Sequence, residues 1–119
     1  MISWTDRTVE RVKDMLKAIA EIREGIKGKT VESFVSSRSN NAEAVLGLII
    51  LGEAANGIER EVQEKYSKIP WRDIIGLRNI LVHAYGQVDY EEVWSIATKD
   101  LNQLEENLNE MLASYPWPA

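Results

Sequence analysis

One stretch of the chain is apolar on every side of the helix that it can form, and this restricts the possible folds. Residues 44–55, AVLGLIILGEAA, contain one charged residue, Glu53. A surface helix needs a single apolar stripe, so a helix that is apolar all round must be covered on more than one side. The chain therefore needs other helices, or a second subunit, around this segment.

Three further segments have apolar residues at the helical spacing of three and four. We expect main helices over residues 5–25, over 41–66, which includes the apolar run, over 70–85, and from Asp89 to just before the terminal YPWPA. A short helical turn is expected around Val31, Phe34 and Val35. No strand-like alternation occurs, and the connections are short. The sequence thus predicts an all-α fold, an antiparallel up-down bundle of four main helices plus a short helical turn.

Local signals predict where helices begin and where they touch. Ser39 or Asn40 is expected to cap the second helix, and Asp89 is expected to cap the fourth. Gly47 and Gly52 lie inside the second helix, where glycine is unfavourable. They make sense if another helix approaches closely there.

Length and composition are those of an ordinary soluble domain. The 119 residues, 45% of them hydrophobic and 28% charged, suffice for one core, so we expect a single domain over residues 1–119. The sequence has no run of 18 apolar residues and no signal peptide pattern, so we expect no membrane contact and a cytoplasmic location. One histidine cannot form a multi-histidine metal site within one chain. We expect no metal and no cofactor.

Charge is distributed unevenly along the chain. The net charge is −5, with a local +2 over residues 1–40, −1 over 41–85 and −6 over 86–119. A polyanion should avoid the C-terminal helix and meet Arg78 together with N-terminal basic residues. The alternative is that both ends are simply solvated helix faces.

The segment GLRNILVHAYG, residues 76–86, holds the only histidine of the chain together with an arginine and a tyrosine. On a continuous helix Arg78 and His83 lie about 140° apart around the axis and about 7.5 Å apart along it. Asn79 and His83 share a face. The cluster, with Tyr85 beyond it, therefore projects from the end of a helix.

These groups suit cleavage of a phosphodiester. Arginine binds phosphate oxygens bidentately, and histidine exchanges protons near neutral pH. RNA supplies its own nucleophile, the 2′-hydroxyl, so no metal is strictly required. Cleavage needs both a base and an acid, however, and the chain has one histidine. A two-fold dimer would bring two copies of the segment together. The apolar second helix also favours a dimer, because a second subunit could cover it. Leu46 and Ile50 are candidate interface residues.

Ordinary structural roles for the same residues are open at this point. His83 could cap the helix, and Tyr85 could pack in the core. Arg78 could pair with Glu53, which needs a partner if it is buried.

The sequence RNILVHAY, Arg78 to Tyr85, resembles the arginine, four residues, histidine, one residue, tyrosine motif of the HepT-like toxins of the HEPN (higher eukaryote and prokaryote nucleotide-binding) superfamily. Residues 52–94 are similar to the central part of that family, including the triplet that begins at Gly52, the pair Pro70-Trp71, and Trp94. The rest of the chain fits the length and helix order of the family.

The resemblance implies a HEPN-like bundle that dimerises, with the two motifs facing a shared cleft. It also implies a metal-independent ribonuclease toxin, usually encoded beside a minimal nucleotidyltransferase antitoxin in a type VII-like pair. The catalytic arginine and histidine of the family fall on Arg78 and His83, and the polar residue after the arginine falls on Asn79. The tyrosine to which the antitoxin adds AMP falls on Tyr85. Glu53 is expected to support the site.

Two alternatives come from other functional classes. Some HEPN-type bundles resemble non-catalytic binding subunits that accompany nucleotidyltransferases, and the acidic pI of about 4.9 is compatible with this. The chain could also be a purely structural dimerisation domain.

Overall fold

The computed structural model describes residues 6–114, and over this range every regular element is helical. The elements are α1 (Asp6–Ile26), α2 (Val31–Ser36), α3 (Arg38–Asn56), α4 (Arg60–Lys65), α5 (Trp71–His83), a 3-10 turn (Tyr85–Gln87), α6 (Tyr90–Ser95), a π-helical segment (Ile96–Asp100) and α7 (Leu101–Ala113). The expected all-α class is confirmed. None of the helices in the described range is both long and apolar enough to cross a membrane.

Helix α3 carries the apolar run and lies at the centre, packed against α1 on one side and α5 on the other. It runs antiparallel to α1, because Gly25 lies against Ala44 at one end of the contact and Ile22 lies against Gly47 farther along. Its inner residues join those of α1 and α7 in one apolar core; the largest fully buried side chains there include Met15, Ile19, Phe34, Leu48, Leu101 and Leu108.

The two glycines inside α3 lie where neighbouring helices come closest, as the sequence predicts. A Cβ atom on Gly47 would overlap the side chain of Ile22 on α1. A Cβ atom on Gly52 would overlap the side chain of Arg78 on α5 and lie 3.2 Å from the carbonyl oxygen of Ile74. Gly52 therefore sets the distance between α3 and the helix that carries the candidate site.

A strip of α3 stays uncovered although both neighbours are in place. Leu46 is 57% exposed and Ile50 is 37% exposed, one turn apart on the same side of the helix. Ile80 and Val82 of α5 are also exposed. Within residues 6–114 the bundle thus covers the apolar helix on two sides and leaves an apolar strip on a third.

The expectation of one helix over residues 41–66 is wrong. α3 ends at Asn56, and a separate short helix, α4, begins at Arg60. At the break, the guanidinium of Arg11 from α1 occupies the space that a side chain on Gly57 would fill. The side chain amide of Gln63 donates to the carbonyl oxygens of Ala55 and Ile58 at 3.1 and 3.2 Å. These bonds satisfy carbonyls that a continuous helix would have bonded internally.

The expected cap of this helix is wrong as well. α3 begins after Ser37, two residues earlier than Ser39. The side chains of Asn40 and Asn41 instead donate to the carbonyl oxygens of Ser33 and Phe34, at 2.6 and 3.0 Å. The two amides therefore fasten α3 to α2.

The fourth helix begins as expected. The carboxylate of Asp89 accepts from the backbone N–H groups of Glu91 and Glu92 at 3.0 and 3.2 Å. The π-helical segment between α6 and α7 was not expected. There the hydroxyl of Thr98 donates to the carbonyl oxygen of Trp94 at 2.7 Å.

Candidate active site

The motif residues lie at the C-terminal end of α5, where the chain turns sharply. The helix stops at His83, and the N–H of Ala84 still donates to the carbonyl oxygen of Ile80 at 2.9 Å. The 3-10 turn beginning at Tyr85 follows at once, and Asp89 then starts α6. His83 is therefore the last helical residue and Tyr85 the first residue of the turn, so both side chains project from the bundle.

Arg78 lies in the contact between α5 and α3, and its side chain is only 25% exposed. One terminal nitrogen forms an ion pair with the carboxylate of Glu53 on α3, and the other donates to Oδ1 of Asn79 at 2.7 Å. The Nε atom is buried and has no hydrogen-bond partner among the described residues. The guanidinium is thus held from two sides, and the side chain stays partly exposed.

The pairing of Arg78 with Glu53 was an alternative that the sequence left open, and it is present. Its reason differs from the one expected, since the side chain of Glu53 is 53% exposed and is not a buried charge in need of a partner. A solvated ion pair of this kind contributes roughly 0–1 kcal/mol to stability. The pair is weak enough for another anion to compete for the arginine.

His83 is exposed, and no side-chain hydrogen bond or ion pair ties it to any residue between 6 and 114. Its imidazole is therefore free to meet a ligand.

Tyr85 is 61% exposed, so the alternative that it packs in the core is wrong. The guanidinium carbon of Arg38, at the start of α3, lies 5.8 Å from the centre of its ring. This is a cation–π distance. Arg38 thus places a second cation beside the tyrosine.

Sequence reasoning missed Arg38 altogether. It lies 47 positions before Tyr85, and only the antiparallel packing of α3 against α5 brings the two side chains together. A basic residue at the start of a helix carries no signal that could have identified this contact. The structure therefore gathers Arg78, Asn79 and Glu53 in one hydrogen-bonded group. His83 lies at the end of α5, and Tyr85 follows it in the 3-10 turn with Arg38 of α3 beside its ring.

In the described range no group of three or more histidine, cysteine or acidic side chains is arranged to hold a metal ion. The groups at this end of α5 that could act on a ligand are guanidinium, imidazole, phenol and amide, together with the half-exposed carboxylate of Glu53 on α3.

Comparison with protein families gives a match to the model described as "HepT-like: Ribonuclease HepT-like", which covers residues 15–111. This is most of the chain and includes the whole of α5. The chain belongs to the HepT-like family.

Several proteins whose names include RNase or ribonuclease are similar to this chain over most of their length. "Putative RNase TTE0752" of Caldanaerobacter subterraneus subsp. tengcongensis is 37% identical over 89 residues, 75% of this chain and 80% of that protein. "Putative RNase MJ1380" of Methanocaldococcus jannaschii is 30% identical over 95 residues, 80% of this chain and 87% of that protein. "Probable ribonuclease HepT" of Thermococcus cleftensis is 29% identical, over 79% of this chain and 86% of that protein. No solved structure matches the chain.

Proposed function

We propose that this HepT-like chain is a metal-independent endoribonuclease toxin that cleaves RNA in the cytoplasm. One observation carries the proposal. Within a ribonuclease-related family, the exposed end of α5 presents Arg78, held by two neighbours, and His83, free of any partner in the described range. An oriented guanidinium and an unoccupied imidazole are the groups that transfer of an RNA phosphodiester needs.

In the proposed reaction the 2′-hydroxyl of the RNA attacks the adjacent phosphorus while a base takes its proton. The bond from phosphorus to the 5′-oxygen breaks, and an acid protonates that oxygen. The products are a 2′,3′-cyclic phosphate and a 5′-hydroxyl. His83 serves as acid or base, and Arg78 stabilises the charge that builds on the phosphorane oxygens.

Glu53 and Asn79 act as positioning residues for the arginine. Asn79 fixes one terminal nitrogen by the 2.7 Å hydrogen bond, and Glu53 draws the other toward α3. The guanidinium is thus oriented before RNA arrives, which is how enzymes lower the cost of stabilising charge in the transition state. Because Glu53 is half exposed, a substrate phosphate can take its place on Arg78.

One subunit offers a single imidazole, and the reaction uses two proton-transfer groups. We propose that a two-fold dimer unites two copies of the site. The exposed strip of α3 (Leu46 and Ile50) is the surface that a second subunit would cover. Two copies of His83 can then serve as base and acid across one cleft.

We further propose that a minimal nucleotidyltransferase antitoxin silences the toxin by adding AMP to Tyr85. The phenol is largely exposed, so a partner enzyme can reach it. Arg38 lies beside the ring and can bind the phosphate of the added AMP. Arg78 can bind the same phosphate if the AMP is oriented toward the active site.

Cleavage of single-stranded RNA in EDTA tests the catalytic proposal. The wild type should yield 2′,3′-cyclic phosphate ends, detected by mass spectrometry. Arg78→Ala and His83→Ala should each slow cleavage by roughly 10²-fold or more if chemistry limits turnover. Lys17→Ala removes one exposed positive charge elsewhere, on α1, and should cleave like the wild type.

Full activity of His83→Ala, or loss of wild-type activity in EDTA, would refute the mechanism. Tight RNA binding by the wild type without any cleavage would instead favour a non-catalytic binding subunit.

A further inference from the structure

Four residues of α5 form one continuous stripe that leads away from the candidate active site. Because the helix is regular from Trp71 to His83, the directions of its side chains follow from 100° per residue. Arg72 and His83 then lie within about 20° of each other around the axis and about 16.5 Å apart along it. Gly76 and Asn79 fall between them, each within about 40° of Arg72.

The far end of the stripe opens into a groove between α4 and α5 of about 680 Å³, whose lining includes Arg60, Arg72, Gly76 and Asn79. Neither Arg60 nor Arg72 forms an ion pair with any residue in the described range. Of the groove residues in that range, Glu64 is the only carboxylate. The groove therefore carries a local excess of positive charge on a protein whose net charge is −5.

Gly76 gives a second indication that something outside the described chain approaches here. Glycine inside a helix costs about 1 kcal/mol relative to alanine. A Cβ atom added at Gly76 would meet nothing within 4 Å, so no neighbour in the described chain requires a glycine. Gly52 on α3 is the contrasting case, because Arg78 fills the space beside it.

We propose that single-stranded RNA follows this stripe. This inference rests on the proposed ribonuclease function and adds a binding path to it. On one side of the cleavage position the RNA strand passes Asn79 and then Gly76, where the absence of a side chain lets the RNA backbone lie close to α5. Its next phosphates lie on Arg72 and Arg60. The stripe is several times longer than the axial rise of about 3.4 Å per nucleotide in a stacked strand, so it contacts more than one nucleotide.

Continuity with the site favours RNA over other occupants. Asn79 lines the groove and also accepts the hydrogen bond from Arg78. A phosphate held by Arg78 therefore lies at the entrance of the groove, and the next phosphates of the same strand reach its cations. Contacts of this type bind the backbone and do not read the bases.

Binding measured separately from cleavage tests the path. Dissociation constants for a labelled single-stranded RNA are determined by fluorescence anisotropy at several salt concentrations, with His83→Ala in every protein to prevent cleavage. Added Arg60→Gln and Arg72→Gln should each weaken binding by at least about threefold. The logarithm of the association constant falls linearly with the logarithm of the salt concentration. Each variant should make this slope shallower by about 0.7, the value for one lost phosphate contact on a single strand.

Lys17→Gln is the matched control. It makes the same charge change at an exposed site on α1. Although Lys17 belongs to the basic N-terminal part of the chain, it shares its surface with Glu21, Glu24 and Glu43, which RNA should avoid. It should leave both the affinity and the salt slope unchanged.

Gly76→Leu tests the path without altering charge. Leucine favours the helix over glycine, so the variant should melt at or above the temperature of its parent, while its side chain obstructs the groove and weakens RNA binding.

If the wild type cleaves RNA but Arg60→Gln, Arg72→Gln and Gly76→Leu bind like Lys17→Gln, the path is wrong and the proposed function stands. If the His83→Ala protein binds no RNA and the wild type cleaves none, both are overturned.

Discussion

Tyr85 differs from Arg78, which is held by Glu53 and Asn79, because its hydroxyl is exposed to solvent. The phenol is 61% exposed on a short turn, and the one cation beside it in the described range, Arg38, stacks on the ring without occupying the hydroxyl. The hydroxyl is therefore an accessible acceptor for the proposed nucleotidyltransferase, next to a group that could bind the transferred phosphate.

We predict that a cognate minimal nucleotidyltransferase and ATP add one or more AMP units to Tyr85 and stop RNA cleavage. The added phosphodiester brings a negative charge next to Arg38. At an effective dielectric of about 20, unit charges about 4 Å apart attract by roughly 4 kcal/mol, an upper guide at an exposed site. Intact mass spectrometry measures the addition, and a cleavage assay on the same sample measures silencing.

Tyr85→Phe is the matched control, because it keeps the ring over which Arg38 lies and removes only the acceptor oxygen. It should gain no mass and stay active in the presence of the antitoxin. An equal mass increase on Tyr85→Phe would place the modification elsewhere.

The sequence located the candidate residues and offered Glu53 as a partner of Arg78, but it did not indicate the contact of Tyr85 with Arg38. The spacing of Arg78, His83 and Tyr85 was visible in one short segment, and so was their position at a helix end. The contact of Arg38 with Tyr85, by contrast, depends on how two distant helices align. Local spacing does not determine that alignment.

At the scale of the elements, the approach of α3 to α5 holds the candidate site together. Gly52 permits the approach, and Glu53, the next residue, forms the ion pair with Arg78. A larger residue at position 52 would push the two helices apart at the point where the guanidinium is held.

We predict opposite effects for the same substitution at two glycines. Gly52→Ala should destabilise the protein, because overpacking of about 1–3 kcal/mol opposes the gain of about 1 kcal/mol in helix propensity. It should also slow RNA cleavage by displacing Arg78. Gly76→Ala, in open space on α5, should stabilise the protein by up to about 1 kcal/mol. Urea denaturation measures both, and equal stabilisation of both variants would contradict the close contact at Gly52.

The helix boundaries show which parts of the fold follow from local signals. The capping carboxylate of Asp89 and the glycine contacts of α3 were predictable, because propensity alone points to them. The break after Asn56 was missed even though Asn-Gly is a common turn signal, since the helical periodicity of the flanking residues masked it. What stabilises the break, the Arg11 guanidinium against Gly57, is a tertiary contact. The π-helical segment had no sequence signal that we recognised.

At the scale of the whole molecule, a substitution in the exposed strip on α3 can test dimerisation without disturbing the folding of the single subunit. Leu46 is 57% exposed in the single subunit, so a charge there costs the monomer little, whereas a charge buried in a subunit interface is expensive. We predict that Leu46→Glu gives a folded monomer that no longer cleaves RNA. Light scattering measures the mass and circular dichroism the helix content.

Asn109→Glu introduces the same charge at an exposed position of α7, a helix outside the strip, and should remain dimeric and active. A wild-type protein that is monomeric at micromolar concentration, or a fully active Leu46→Glu monomer, would contradict the shared site.

Mixing of subunits decides whether both histidines are needed in one cleft. We predict that refolding wild-type protein with an equal amount of His83→Ala reduces cleavage by about half relative to the wild-type protein alone, since random pairing places only a quarter of all dimers in the doubly wild-type state. The mixed dimer has one imidazole and therefore lacks either the base or the acid. If each subunit instead worked with its own histidine, mixed dimers would retain one working site and the mixture would cleave at the rate of the wild-type protein it contains. The rate as a function of the mixing ratio distinguishes the two cases, being quadratic in the wild-type fraction for a shared cleft and linear for independent sites.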